Sequence, residues 1–327
     1  MGSNQHYVPQ LYLRRFSTPG TKNKKIFRYS IEFDKIEKDT SISNTSSEES
    51  FYDSELDPYF SQMYGKDNLE LILSEFETEY SSLLKSIEET LISSKPINQI
   101  QHERISYFMY LQYVRTMSYR EKVSFPISPL SKKAGHGLMM VSPNAYESGV
   151  GIFASRRYII GRVFPGKMFV TSDNPVGFIS SMHFDQNDVE ESLKRFSDMI
   201  GPKVSKETRG FDLVMPLSKH HVLIGIEEET SSVKILPSQH FINLDLNTTI
   251  NIISGIALDA SRHIYSSTRN ELEYAILLLK AKRIEIENRP EHIKRRMEEF
   301  RWARAKNYPS GTNYYKEWLE RKQRPTT

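Results

Sequence analysis

Residues 100–123 read as a helix that is apolar around most of its circumference, through Ile105, Phe108, Met109, Leu111, Tyr113, Val114 and Met117. A helix with no wide polar face to give to water must lie centrally, covered by other elements. Gln112 and Arg115 stand inside that apolar run, with Arg104 and Arg120 nearer its ends. A buried guanidinium without a partner is very costly, so Arg115 requires an acid from elsewhere in the chain or a phosphate from a ligand. Asp173 is the favoured partner; a glutamate of the preceding helix is the alternative.

That preceding helix spans 67–94. Leu69, Ile72, Leu73, Phe76, Tyr80, Leu83, Leu84, Ile87 and Leu91 recur at three and four residues. Asp67 is the expected N-cap, and Pro96 follows the end. Glu70, Glu75, Glu77, Glu79, Glu88 and Glu89 read as its solvated face.

Asp173 stands at the end of a strand, 168–171, that runs into Thr-Ser-Asp-Asn-Pro. Pro175 ends ladder donation and biases Asn174 away from the helical region, so a carboxylate and an amide are held at a strand end. Such residues also make an ordinary turn. What distinguishes the two readings is whether other segments bring partners to Asp173.

Around these elements, residues 25–31 and 35–39 predict a hairpin, and 40–50 an exposed loop. Residues 126–144, rich in Pro, Ser, Gly and Lys, read as a connection or lid. Strands are expected at 151–155, 158–164 and 168–171, with Pro165-Gly166 turning a hairpin between the last two. Residues 185–206 read as a polar insertion, and 211–218 with 221–226 as another hairpin. Helices are expected at 244–267 and 270–286. The fold class is therefore α+β, a mostly antiparallel sheet (150–226) against long helices. A single domain is expected over 1–267, with the N-terminal motif at 4–17, the helical pair at 67–123 and the helix at 244–267. Residues 268–327 are expected as a helical extension packed on the same body.

No cysteine is present, which removes disulfides, thiol catalysis and cysteine-based zinc sites, and fits a reducing compartment. No apolar run approaches the roughly 18–20 residues of a membrane helix, so a cytoplasmic protein with no membrane partner is expected. A net charge of +3 does not by itself indicate nucleic acid. From Glu291 onward, however, ten Lys/Arg face five Asp/Glu among Phe300, Trp302, Tyr308, Tyr314, Tyr315 and Trp318. Such a segment can track a nucleic-acid strand by stacking and phosphate contact, or dock its aromatics on the body. Homo-oligomerisation and an operon-encoded protein partner stay open.

Several motifs occur in order: His6-Tyr-Val-Pro-Gln-x-Tyr-Leu-Arg-x-Phe16, the 25–29 strand, Phe51-Tyr52, Gln112-x-x-Arg-Thr116, Phe169-Val-Thr-Ser-Asp-Asn-Pro-Val176, Pro216-Leu-Ser218 and Ala260-x-Arg-His-Ile-Tyr-Ser266. The set resembles the DUF4238 family, over roughly residues 4–267. The resemblance implies a map of motifs rather than a mechanism. It ties Asp173 to three further polar groups: His6 with Gln10 and Arg14, Gln112 with Arg115, and Ser218. Core motifs are mostly apolar and this set is mostly polar, as a site built from several elements requires.

The expected function is a nuclease, RNA before DNA, serving as a bacterial toxin or defence effector. His6 would be a general acid or base, Asp173 would orient it or act as a base, and Arg115 would stabilise phosphate charge, with Gln10 completing the catalytic set. Arg14, Arg15, Gln112, Ser172, Asn174, Ser218 and Arg262 are the expected substrate contacts. No cofactor is expected; a single divalent metal on Asp173 is left open. His220 and His221 lack a third ligand at suitable spacing. The alternative is a non-catalytic module binding RNA, a nucleotide or a protein in the same pocket, and a third reading is a buried structural network.

Overall fold

The computed structural model describes residues 4–22, 24–66, 68–93, 95–122, 131–141, 151–180, 211–226, 240–288 and 291. The insertion read at 185–206 and the basic, aromatic segment beyond residue 291 lie outside the described residues, as does Asp67. The fold is α+β with antiparallel-rich sheets.

The chain opens with β1 (Asn4–His6), a short helix α1 (Gln10–Leu13) and a 3-10 turn over Arg14–Phe16. Strands β2 (Lys25–Ser30) and β3 (Lys35–Ser41) form the expected hairpin. Strand β4 (Ser47–Glu49) pairs antiparallel with β1, so part of the 40–50 loop is sheet. Helix α2 (Asp57–Tyr64) leads to the long pair α3 (Leu69–Ile92) and α4 (Gln99–Val114). Helix α3 begins where the Asn68 side chain accepts from the Leu71 N–H at 3.1 Å. Helix α4 carries a capping box, in which Asn98 and Gln101 satisfy each other's backbone N–H groups. Its residues are buried from Ile105 through Leu111, as its missing polar face predicts.

The helix expected over 100–123 is interrupted. Arg115 and Thr116 separate α4 from α5 (Met117–Lys122), and Thr116 Oγ1 accepts from the Tyr119 N–H at 3.2 Å. Inside the region read as a loop, Lys132–Val141 is a helix, α6. The strand expected at 151–155 is a helical turn, α7 (Gly151–Ala154), packed on α4.

A second correction concerns the sheet. Strand β5 (Arg157–Arg162) and strand β6 (Thr171–Ser172) do not pair, although Gly166 does make a turn at φ 81° between them. With β7 (Gly177–Ser180), β8 (Phe211–Pro216), β9 (His221–Ile226) and β10 (Phe241–Asn243), β5 belongs to a five-stranded sheet ordered β10-β5-β9-β8-β7. It is antiparallel except where β10 runs parallel to β5.

Strand β6 instead closes a four-stranded sheet, β3-β2-β11-β6, whose β11 is His263–Ser266. That last strand overturns the end of the helix expected over 244–267. Helix α8 is Leu246–Asp259, and the chain then extends to pair with β2 and β6. Ile264 and Tyr265 are fully buried there, a two-sided burial that alternation cannot signal. Helix α8 packs on both β6 and β7, and thus on both sheets. A Cβ added at Gly255 would sit 2.7 Å from the Ile179 side chain, so glycine is what lets α8 come this close to β7. Helix α9 (Arg269–Glu287) covers β11 and β2. The inner faces of both sheets and the helical pair share one hydrophobic core.

Candidate functional site

The N-terminal motif is the hub on which the polar residues converge. Tyr7, Val8, Tyr12, Leu13 and Phe16 are buried, which fixes the segment across the core. Tyr12 Oη donates to the Pro216 carbonyl at 2.7 Å and lies 2.8 Å from Thr171 Oγ1, bridging the two sheets. Arg15 donates to the Leu217 carbonyl. The Pro216-Leu-Ser218 motif is thus a backbone docking point, and Ser218 Oγ accepts from the N–H groups of His220 and His221 at 3.2 Å.

Arg115 has no solvent exposure and is satisfied by three partners. Its Nη1 donates to Glu77 at 3.0 Å, its Nε to Tyr52 Oη at 3.1 Å, and its Nη2 to the His6 carbonyl at 2.5 Å. Tyr52 Oη in turn donates to the same carbonyl at 3.1 Å. The pairing expected between Arg115 and Asp173 is therefore overturned. A glutamate of the preceding helix neutralises the guanidinium, because Glu77 lies opposite the end of α4, where the break presents Arg115 to α3.

Glu70 joins this cluster. Its carboxylate feels Arg115, Glu77 and the His6 backbone N–H, and Oε2 is buried without a hydrogen-bond partner among the described residues. Desolvation pushes the Glu70 carboxyl up to about 7; Arg115 opposes the shift, while Glu77 and Asp53 add to it. Burial also moves the His6 imidazole below its ordinary value, against the pull of its bond to Ser43 and of Glu77. His6 Nε2 lies 3.0 Å from the Ser43 carbonyl, and a carbonyl only accepts, so Nε2 carries the proton. The lone pair of the neutral ring is then on Nδ1. Burial disfavours the Arg115 charge, but Tyr52, Glu77 and Glu70 outweigh it and hold the group protonated. His6, Glu70 and Glu77 are half-buried around a wholly buried Arg115.

Asp173 belongs to a different construction. Its Oδ1 accepts from the Ser261 N–H at 3.0 Å and its Oδ2 from the Arg262 N–H at 2.7 Å, clamping the turn between α8 and β11. Asn174 Nδ2 donates to the Asp259 carbonyl at 2.6 Å and to Ser261 Oγ at 3.1 Å. Ser172 Oγ donates to the Asn174 carbonyl and accepts from its N–H. Desolvation pushes Asp173 up to about 6, and the backbone N–H bonds restrain the rise. With both oxygens engaged, this carboxylate is occupied rather than offered to a base, a phosphate or a cation. Burial holds the Tyr7 phenol in the neutral form, and the charge of Asp173 adds to it.

Of the residues anticipated as a site, His6 and Arg115 meet, and Gln112 sits on the same helix three positions ahead. Both amide atoms of Gln112 are buried without a partner among the described residues. Gln10 accepts from Arg14 at 3.2 Å on the exposed side of the motif. Arg262 lies 3.8 Å from Glu121, and Ser218 caps its turn. Tyr52, Glu70 and Glu77 are the members that sequence reasoning missed as site residues. Their signal was present: Glu70 and Glu77 stand one heptad apart, in register with the buried Leu73, Tyr80 and Leu84. Among the described residues, no group of three or more His, Asp or Glu has the placement to hold a metal ion, and no helix is long and apolar enough to cross a membrane.

Compared with known families, residues 4–270 match the model described as "Protein of unknown function (DUF4238)". Among curated proteins and among solved structures, nothing matches the chain.

Proposed function

The chain belongs to the DUF4238 family, and from that footing we propose that it is a nuclease, cleaving phosphodiester bonds of RNA before DNA, with its centre at His6, Glu70, Glu77 and Arg115. The observation that carries the reading is a buried guanidinium bonded to the His6 carbonyl, with the His6 imidazole moved down and the Glu70 carboxyl moved up in its field. At neutral pH the imidazole is a free base and the carboxyl keeps its proton part of the time. Titratable pairs whose environments move their pKa values past each other mark acid and base assignments. Arg115, wholly buried and engaged by three partners, holds the His6 carbonyl and so positions the residue that carries the base. Arg14, exposed and with a neutral amide as its side-chain hydrogen-bond partner among the described residues, suits a phosphate of the bound strand. The basic, aromatic residues after 291 suit the same polymer. A cytoplasmic toxin or defence effector is the setting in which we place this activity, in keeping with a cysteine-free chain.

Asp173 becomes a positioning residue in this reading. Incubation of the purified chain with tRNA, rRNA and DNA, with and without EDTA, tests the proposal. His6→Ala is expected to lower RNA cleavage by about 10²–10⁴, the usual contribution of a positioned base. Undiminished cleavage by that variant would place the chemistry elsewhere.

Gln112 favours a second reading, a binding module. A fully buried amide with both atoms unpartnered among the described residues is costly and is what a ligand edge offering a donor and an acceptor would relieve. A tight RNA or nucleotide complex, recovered unchanged after long incubation and lost in Gln112→Leu, would support that reading.

A further inference from the structure

Three short segments far apart in the chain come together where β5 ends and where β8 turns into β9, and none of them carries an acid. They are residues 10–16, 162–169 and 216–221, and they bring Arg14, Arg15, Arg162, Lys167 and Lys219 into one region. We propose that this surface is a track for a single strand of RNA, with Arg14, Arg162, Lys167 and Lys219 on its phosphates and Phe164 stacked on a base. The track takes its polymer from the nuclease reading above, but it stands or falls by binding rather than by cleavage.

Backbone bonds make the juxtaposition. The Val163 N–H donates to the His220 carbonyl at 3.0 Å and the Phe169 N–H to the Lys219 carbonyl at 2.9 Å. The turn over 164–167 is thereby clasped at both ends against the turn between β8 and β9. Arg162 stands directly opposite His221 in the β5–β9 ladder, so the two side chains share a sheet face. The N-terminal motif reaches the same turn, since Arg15 donates to the Leu217 carbonyl and Tyr12 Oη to that of Pro216. Arg14, Arg162, Phe164 and His220 are exposed, and Lys167 and Lys219 are half-buried.

These cations are kept from acids. Arg14 has the neutral amide of Gln10 as its side-chain partner, and Lys167 Nζ lies 3.7 Å from the centroid of the Tyr274 ring. No ion pair engages Arg162 or Lys219 among the described residues. Of the acids on the elements that follow, Asp245 is spent on the Thr248 N–H and hydroxyl at the start of α8, and half-buried Glu271 stands in the field of Lys167. The chain as a whole is nearly balanced, at a net +3, so the positive field here comes from placement rather than from composition. Cations strung over two turns and a motif, with an exposed ring among them, match a backbone that repeats its phosphate and offers base faces. A membrane would call for a broader apolar face. The motif that lends Arg14 also carries His6, which ties the track to the proposed centre.

The test is fluorescence anisotropy of a short 2′-O-methyl RNA, which keeps phosphates and bases, with the full chain over a range of salt. Arg162→Gln/Lys219→Gln should weaken binding by about 10–30-fold at about 0.1 M salt. Its plot of log K against log salt should be shallower by about 0.7 for each of the two phosphates let go. Phe164→Leu should weaken binding by about fivefold or more with no change of slope, since a base loses its ring while each phosphate keeps its cation. Lys35→Gln/Lys38→Gln, on the edge of the four-stranded sheet opposite β6, should leave the slope unchanged. Equal flattening by the two double variants, or none by either, overturns the track. Firmer binding to phosphatidylserine vesicles than to RNA, lost in Arg162→Gln/Lys219→Gln, gives the surface to a membrane and overturns it too. Ordinary RNA cleaved by the wild-type chain, with binding unchanged in Arg162→Gln/Lys219→Gln, removes the track and leaves the nuclease reading. RNA held through the track and never cleaved does the reverse.

Discussion

A carboxylate placed against two backbone N–H groups cannot be replaced by its isosteric amide without turning a donor toward a donor. Asp173→Asn is therefore expected to cost about 1–3 kcal/mol in urea unfolding, the usual penalty of leaving buried groups unpaired. Its pH dependence has a definite sign. The folded value of about 6 exceeds the unfolded value of about 3.9, so the folded chain binds more protons between them. The stabilisation that protonated Asp173 contributes is present below about pH 4 and is lost as pH rises through about 6. The difference in unfolding free energy between wild type and Asp173→Asn should shrink from pH 4 to pH 7. Arg115→Met fills the same space but strands Glu77 and leaves the His6 carbonyl with Tyr52 in place of two donors, and about 3–5 kcal/mol of stability should go with it. At this scale the demand of Arg115 for an acid was legible from one charged residue in an apolar run. Which acid was not, because local N–H groups at 261 and 262 satisfy Asp173 and sequence shows no trace of them. Glu70 was hidden differently, as one of six glutamates on a helix whose charged face accounts for the rest.

Elements were legible where a single period governs their burial. Helix α3, the first part of the helix expected over 100–123, and the β2–β3 and β8–β9 hairpins stand where their patterns put them. The pattern failed at 151–155 and 263–266, four- or five-residue segments buried on more than one side, for which helix and strand predict the same apolar run. It also could not tell that the Pro165-Gly166 turn sends its two flanking strands into different sheets. Tyr12 is the link between those sheets, and its hydroxyl can be tested by a double-mutant cycle. Tyr12→Phe and Thr171→Val should each destabilise by about 1–3 kcal/mol, since each leaves a buried partner unpaired. Their coupling should reach about 0.5–3 kcal/mol. A coupling indistinguishable from zero would show that the Tyr12–Thr171 pair does not hold the two sheets together.

For the molecule as a whole, α+β architecture was legible from segment order, whereas the division of the strands into two main sheets was not. Sheet membership depends on pairings far apart in the chain, such as β2 with β11, and no local propensity encodes them. Charge acts at the same scale. The segment after residue 290 adds ten basic and five acidic side chains to a chain of net charge +3, so without it the remainder is close to −2. If that segment tracks RNA, a chain ending at Asn288 should bind RNA more weakly. Its plot of log K against log salt should be shallower by about 0.7 for each phosphate of single-stranded RNA that the shortened chain no longer neutralises. An unchanged slope would confine RNA binding to the body. Melting should be little altered in either case if the core packing of residues 4–288 does not depend on that segment.

The bond from Tyr12 to Pro216 spans 204 residues, and that from Ser46 to Tyr265 spans 219. During translation the hub therefore leaves the ribosome long before the segments that complete it. At roughly 5–20 residues per second, Ser46 waits about 10–45 s for Tyr265 to be made. A prematurely terminated product that stops before residue 259 lacks the backbone that Asp173 grips and the strand that fills the middle of the four-stranded sheet. Assembly is thus timed by the last third of the message, and a nascent chain cannot complete its hub until nearly all of the motif-bearing region has been synthesised.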